Sequence, residues 1–405
     1  MGFDFVLGRR QLCRLGASAI VAAGLVGCAV EEPAPELDSN DDVSEKASPQ
    51  VSQESRVRAT EEYVRIIGRT CQDADVTWLP QSGSAIEFAV TGTYLAIELV
   101  GDDSVHNGWD LRSRYAVLLD GEVIVDDTLS EPTRTVEVFS EELTKNGVVE
   151  VIHLSEASIG AVGVGEIIVE SDEPDPVRPT PKKGLSIEFI GDSITCAYGV
   201  ESSGPEDSFT TTEENFMKSY AYLASQELGA DYSAVCYSGY GIVSGWTNDG
   251  TRRTDKLCPP LYDVVAKGYE QPWDFVAHTY DVVVINLGTN DFSYTGTDPD
   301  RMSEFAQEYF NFLSRVHELN PDAHLVCTIG TMGGQELFPY IEQVVEEFKA
   351  NTGFARITCY ATEQLDPETD GCGANMHPNA KTQQRDAETL AGVIREALDL
   401  SERGI

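Results

Sequence analysis

The stretch LSIEFIGDSIT, Leu185 to Thr195, runs an apolar segment straight into a glycine and a small hydroxyl. Residues 185 to 190 read as a buried strand, and Ser193 then stands just past its carboxyl end. In an open α/β sheet, ligands collect in the crevice outside those strand ends, so Ser193 sits where a nucleophile would meet substrate. Serine after glycine is also a common turn former. Its meaning therefore depends on what else the chain brings to the same edge.

Downstream, β-like runs at 232–237, 281–287, 324–329 and 355–361 alternate with helical patterns at 214–229, 302–319, 338–350 and 381–398. In the first helix, Phe216, Tyr220, Leu223 and Leu228 form the apolar stripe of a sheet-facing helix. This alternation predicts an α/β domain with a doubly wound parallel sheet over residues 184–405. Upstream, residues 57–170 hold eight short β-rich runs separated by turn residues, which predicts an all-β sandwich. Asp120-Gly121 marks a hairpin, because that pair readily adopts the positive φ angles of a type I′ turn. Residues 171–183, with Pro174, Pro176, Pro179 and Pro181, read as a stiff linker.

Three further motifs carry chemistry. The strand Asp281 to Leu287 enters GTND, Gly288 to Asp291, and puts the Asn290 amide at a second strand end, as a neutral donor suited to an oxyanion. His377-Pro378 presents an imidazole on a loop before the last helix, the one of six histidines whose context suits a general base. Ser238 to Gly241, SGYG, follows another strand, where glycine lets a backbone N–H approach a substrate oxygen.

Ser193, Gly239, Asn290 and His377, in that chain order, resemble the four signature residues of the SGNH hydrolases, the GDSL esterases. VRIIGRT at Val64 to Thr70, GDSITCAYGVE at Gly191 to Glu201, SGYG and INLGTND at Ile285 to Asp291 further resemble carbohydrate esterase family 2. That resemblance implies a jelly-roll sandwich ahead of an SGNH domain, and an acetyl esterase acting on hemicelluloses such as xylan and glucomannan. It implies Ser193 as nucleophile, His377 as base, and an oxyanion hole of the Ser193 and Gly239 N–H groups with the Asn290 side chain; Gly241 is the alternative to Gly239. It implies no cofactor and no metal. The superfamily usually places an aspartate three residues before the histidine, and here that position is Ala374. A backbone carbonyl can take its place, and Asn375, with Asp370 behind it, is the candidate orienter. Tyr198, Tyr240, Trp246 and Tyr294 lie near the motifs and are candidates to stack on sugar, whereas Trp273 reads as core. Two readings compete: a non-catalytic glycan-binding lipoprotein, motivated by the missing aspartate, and an esterase acting on another small acyl ester.

Composition bounds the partners. A formal net charge of −40 leaves too few cations to neutralise a nucleic acid and predicts that heavily uronylated glycans are repelled at low salt. Arg9, Arg10 and Arg14 before an apolar stretch, Leu15 to Val26, read as a signal peptide over 1–27; the pair Arg9-Arg10 is shared with twin-arginine signals. Leu25-Val26-Gly27-Cys28 resembles a lipobox, which implies a lipid anchor at Cys28, an acidic tether over 28–56 and a bacterial envelope location, or secretion if the lipobox is unused. A monomer is expected. Among nine cysteines, Cys359 and Cys372 flank a loop before His377 and are the best placed to pair in an exported protein, and no cysteine or histidine spacing suggests zinc.

Overall fold

The computed structural model of the protein describes residues 53–400, so the signal, the lipobox, Cys13, Cys28 and most of the tether lie outside the described residues. The N-terminal part is built from β1 (Gln53–Arg58), β2 (Arg65–Ile67), β3 (Cys71–Asp73), β4 (Val76–Leu79), β5 (Ala85–Gly101), β6 (Arg114–Leu119), β7 (Glu122–Thr128), β8 (Thr133–His153), β9 (Val162–Ser171) and β10 (Val177–Pro179). Its spine is the antiparallel pair β5 and β8, of 17 and 21 residues, matched along almost their whole lengths. The first half of β5 takes β2 and β10 on its other edge, and the second half takes β9. A register shift at Gly92 separates the halves, and a Cβ there would fall 2.5 Å from the Glu170 carbonyl. All ten strands thus join one antiparallel sheet, folded around a shared core that includes Phe88, Leu95, Leu99, Val117, Val151 and Ile167. The β6–β7 hairpin turns through Asp120 and Gly121 at φ 53° and 83°.

Three expectations about this region need correction. Runs 85–90 with 94–100, and 133–139 with 148–154, are single bent strands, because pairing continues where apolar alternation lapses. Residues from Gln53, inside the stretch read as tether, already belong to the sheet, since the polar strand β1 lies along β9 as an exposed edge. The proline-rich segment is no free spacer: β10 pairs with Val90 to Phe88, an edge position where a missing N–H costs little.

The second part contains β11 (Ser186–Gly191), β12 (Asp231–Cys236), the small hairpin β13 (Val264–Ala266) and β14 (Tyr269–Pro272), β15 (Val282–Asn286), β16 (His324–Thr328) and β17 (Ile357–Cys359). Its helices are α1 (Ser193–Cys196), α2 (Tyr220–Glu227), α3 (Pro259–Tyr262), α4 (Thr289–Thr295), α5 (Pro299–Leu319), α6 (Phe338–Thr352) and α7 (Ala380–Ala397). The parallel sheet runs β12-β11-β15-β16-β17. Ile187, Phe189, Val282, Val284 and Val326 face α2 and α7, while Ile190, Val283, Ile285, Leu325 and Cys327 face α5 and α6. Burial on both faces is why these strands read as near-continuous apolar runs.

The two parts share a core. Ile67, Ala85, Ala116, Leu118, Ile152 and Leu154, on the outer face of the antiparallel sheet, pack with Phe216, Tyr220 and Tyr232. Three buried arginines cross the seam: Arg65 to Asp231, Arg114 to Glu201, and Arg69 to Glu188 in the middle of β11. The last pair is wholly buried. Arg69 Nε and Nη2 donate to Glu188 Oε1 at 3.1 and 2.9 Å, its Nη1 donates to the Tyr262 and Val264 carbonyls, and Tyr262 Oη donates to Glu188 Oε2 at 2.8 Å. All seven described cysteines are free thiols. The expected Cys359–Cys372 bond is absent: Cys359 packs towards the α5–α6 core, whereas Cys372 sits on a loop running against Gly199.

Removing one partner of such a pair strands a buried charge. Arg69→Met should lower the free energy of urea unfolding by about 3–5 kcal/mol, and Arg69→Met with Glu188→Leu should recover much of that loss. A loss below about 1 kcal/mol in the single variant would mean that the pair behaves as a solvent-screened one.

Candidate active site

Strand β11 ends in Gly191, and the chain turns immediately into α1. The turn leaves no room for a side chain at 191, where a Cβ would lie 2.0 Å from Thr195 Oγ1. Asp192 caps α1 by accepting from the Ile194 N–H at 3.0 Å, which leaves Ser193 as its first residue. From the far side, Gln383 of α7 donates to the Ile194 carbonyl and accepts from the Tyr220 N–H, at 2.9 and 2.7 Å. The serine is thus held by three elements before any substrate arrives.

His377 Nε2 lies 2.8 Å from Ser193 Oγ. Its Nδ1 faces two main-chain oxygens, Ala374 O at 3.1 Å and Asn375 O at 3.2 Å. An N–H at Nδ1 donating to these carbonyls fixes the tautomer in which Nε2 accepts the serine proton. Two consecutive left-handed residues aim the carbonyls, Asn375 at φ 48° and Met376 at φ 66°. The Tyr198 ring packs on the imidazole at 4.2 Å and is backed by Phe209, while its hydroxyl oxygen accepts from the Asn375 side-chain amide at 3.0 Å. Burial drives His377 down to about 4, with the two carbonyls working the other way, so the ring is neutral at neutral pH.

Of the oxyanion candidates, Ser193 opens a helix, where first-turn N–H groups lack intrahelical partners. Gly239, at φ 80°, has an N–H with no acceptor among the described residues. Gly241 does not fit the role, because its N–H donates to the Lys256 carbonyl at 3.2 Å and its turn is packed against Ser244 and Asp291. Asn290 is buried beside them, with Nδ2 donating to Asp192 Oδ2 at 3.0 Å and to the Tyr240 carbonyl at 2.9 Å. Its amide must release one of these to reach an oxyanion. Burial lifts the Asp192 carboxyl to about 7, with the Ile194 N–H opposing that rise. Asp291, not singled out from the sequence, accepts from the N–H groups of Ile242, Val243 and Ser244 and so pins the turn after Gly239.

Asp370 does not support His377. It is tied to Lys381 and Arg385 of α7, because its loop packs along that helix. Among the aromatic candidates, Tyr198 and half-exposed Trp246 line the cavity over Ser193. Tyr240 also borders it, but its ring is buried against Tyr237 and is no platform. Tyr294 lies outside, under the Arg301 guanidinium, with its hydroxyl on Glu304, because α4 turns it towards α5. Trp273 is buried against His278. The cavity measures about 700 Å³ and takes Glu156, Ser158 and Ile159 from the loop between β8 and β9, so the antiparallel sheet helps to wall it. Phe209, Phe292 and Met332, also unforeseen, add apolar surface.

A serine after the first strand of a parallel sheet, paired with a loop histidine and flanked by open N–H groups, defines a serine hydrolase of the GDSL type. Residues 189–385 match the GDSL-like lipase/acylhydrolase family, and residues 66–181 match the carbohydrate esterase 2 N-terminal domain. The chain belongs to carbohydrate esterase family 2. It is 32% identical over 335 residues to the cellulase/esterase CelE of Acetivibrio thermocellus, covering 78% of this chain and 37% of that longer protein. It is 27% identical to an acetylxylan esterase/glucomannan deacetylase of Cellvibrio japonicus, over 85% of this chain and 91% of the relative. A family two carbohydrate esterase from Clostridium thermocellum, solved with cellohexaose, superposes with a TM-score of 0.72 at 28% identity, covering 83% of this chain and 99% of that one.

Because the base is neutral until it is protonated near pH 4, ester hydrolysis should hold its kcat/KM as the pH falls and lose it only through an acid limb near that value. Asn375→Ala, which keeps both orienting carbonyls, should lower the plateau less than about tenfold, the scale of one lost hydrogen bond. A limb near 6.5, the ordinary imidazole value, would contradict the burial-driven lowering of His377, and a loss of about 10⁴-fold, the scale of a missing triad carboxylate, would contradict orientation by the two carbonyls.

Proposed function

We propose that the protein is a serine esterase that removes O-acetyl groups from hemicellulosic polysaccharide, xylan or glucomannan. The observation that carries the reading is the 2.8 Å contact between Ser193 Oγ and a neutral His377, under a cavity far larger than an acetyl group. The relatives named acetylxylan esterase/glucomannan deacetylase support the substrate class.

His377 Nε2 takes the Ser193 proton as Oγ attacks the acetyl carbonyl. The oxyanion is held by the Ser193 and Gly239 N–H groups, and the Asn290 amide joins by exchanging its bond to Asp192 or Tyr240. The imidazolium gives its proton to the departing sugar oxygen, leaving an acetyl-serine. Water, deprotonated by the same imidazole, attacks that ester, and acetate leaves as Ser193 regains its proton. Acetyl is small, so the remaining volume and the exposed Trp246 ring hold the sugar.

Acetate release from acetylated xylan and acetylated glucomannan should be abolished in Ser193→Ala while binding of the polysaccharide persists. A folded parent protein that binds glycan but releases no acetate would favour the non-catalytic reading.

We further propose that the chain is exported and anchored through a lipidated Cys28, a reading supported by Leu25-Val26-Gly27-Cys28 at the end of an apolar stretch preceded by arginines. Expressed in a bacterium that processes lipoproteins, it should partition with membranes, and Cys28→Ser should move it to the soluble fraction. A parent protein already soluble would point to plain secretion.

A further inference from the structure

The protein carries a net charge of −40, yet the cavity over Ser193 is lined by three cations, Arg253, Lys256 and Lys267, and one carboxylate, Glu156. The carboxylate is turned inward: its Oε2 accepts from the Ser238 N–H at 2.8 Å and from the Ser158 hydroxyl at 2.6 Å. Arg253 is matched by Asp255, which accepts from its Nε at 3.3 Å and its Nη2 at 2.8 Å. Neither Lys256 nor Lys267 forms a direct ion pair with a described residue, although Lys256 lies near enough to Asp255 to help, after Arg253, to hold that carboxylate below its usual range. Among the described residues the Lys267 ammonium donates to the Tyr240 hydroxyl, at 2.9 Å. Lys256 is half-buried, with its Nζ 5.8 Å from the centre of the Tyr240 ring, and a methyl built on Gly239 would come within 3.4 Å of that Nζ. An ammonium with no direct ion pair therefore stands beside Gly239, the glycine assigned above to the oxyanion hole.

Resting on the deacetylase reading, we propose that Lys256, assisted by Lys267, binds a carboxylate carried by the substrate, so that acetyl esters on or next to a uronosyl unit are preferred over those on neutral chains. The distant acidic surface opposes such a substrate only at long range. At about 0.15 M salt the screening length is about 8 Å, so that field is damped while a contact at Lys256 is not. Asp102, Asp103 and Glu270 lie in the neighbouring cavity, beyond Lys267, which makes Lys256 the principal contact.

The test compares kcat/KM for acetylated xylo-oligosaccharides with and without a glucuronosyl branch at about 0.15 M salt. The branched substrate should be favoured roughly fivefold, the upper end for a partly exposed ion pair. Lys256→Gln should bring the ratio near unity, and Lys256→Arg should keep it. A purely structural role for Lys256 would lower both substrates alike and leave the ratio in place, which overturns the proposal, as does a parent ratio at or below one. Calorimetric binding of the deacetylated branched and unbranched oligosaccharides to Ser193→Ala reads the same preference without turnover. If neither ester is cleaved but the branched ligand binds more tightly, the deacetylase reading fails and the carboxylate site stands. Equal binding removes the site.

Discussion

The fold turns on one buried ion pair. A carboxylate halfway along an interior strand of a parallel sheet has no intrinsic reason to be stable, since taking it out of water costs several kcal/mol. Glu188 is tolerated there because Arg69 reaches across from the antiparallel domain, Tyr262 and Ser233 donate to the carboxylate, and the rings of Tyr262, Trp273 and Phe275 stand around the guanidinium. Each half therefore needs the other to neutralise a buried charge. The strand so fixed is β11, whose next turn presents Ser193. The seam between the two domains and the position of the reacting hydroxyl are in this sense one problem with one solution.

The same seam gives the antiparallel domain a share in the active site. Its outer face is sealed by Ile67, Leu118 and Leu154 against the hydrolase, and the loop after β8 then extends over the strand ends to place Glu156, Ser158 and Ile159 beside the serine. Glu156 fixes the start of the SGYG turn through the Ser238 N–H, and Asp291 fixes its end through three more. The turn that carries Gly239 is thus held at both ends by carboxylates that accept from main-chain N–H groups.

Much of this was legible in the sequence, and the rest was not, for definable reasons. The parallel strands announced themselves because burial on both faces makes them continuous apolar runs, and Ser193, Gly239, Asn290 and His377 stood out as polar or permissive residues at their ends. Strands β1 and β10 stayed hidden because edge positions need no apolar alternation and one of them contains proline. Arg69 and Glu188 lie more than a hundred residues apart, and neither type signals its partner. Tyr294 and Asp370 illustrate the converse: nearness in sequence to a motif did not bring either side chain to it, since α4 and α7 carry them elsewhere. The carbonyls behind His377 depend on φ angles at Asn375 and Met376, which residue identity alone does not dictate.

That last feature bears on how such a site can change over time. When an aspartate orients the base, one nucleotide change removes it and with it most of the activity. Here the orienting groups are peptide oxygens, so a substitution acts on the base only through the shape of the loop: a larger residue at buried Ala374, or one that resists the left-handed conformation at 375, would disturb it, and others need not. The machinery has exchanged dependence on one side chain for dependence on a backbone conformation, and in doing so has left nothing at Ala374 for a search by residue type to find.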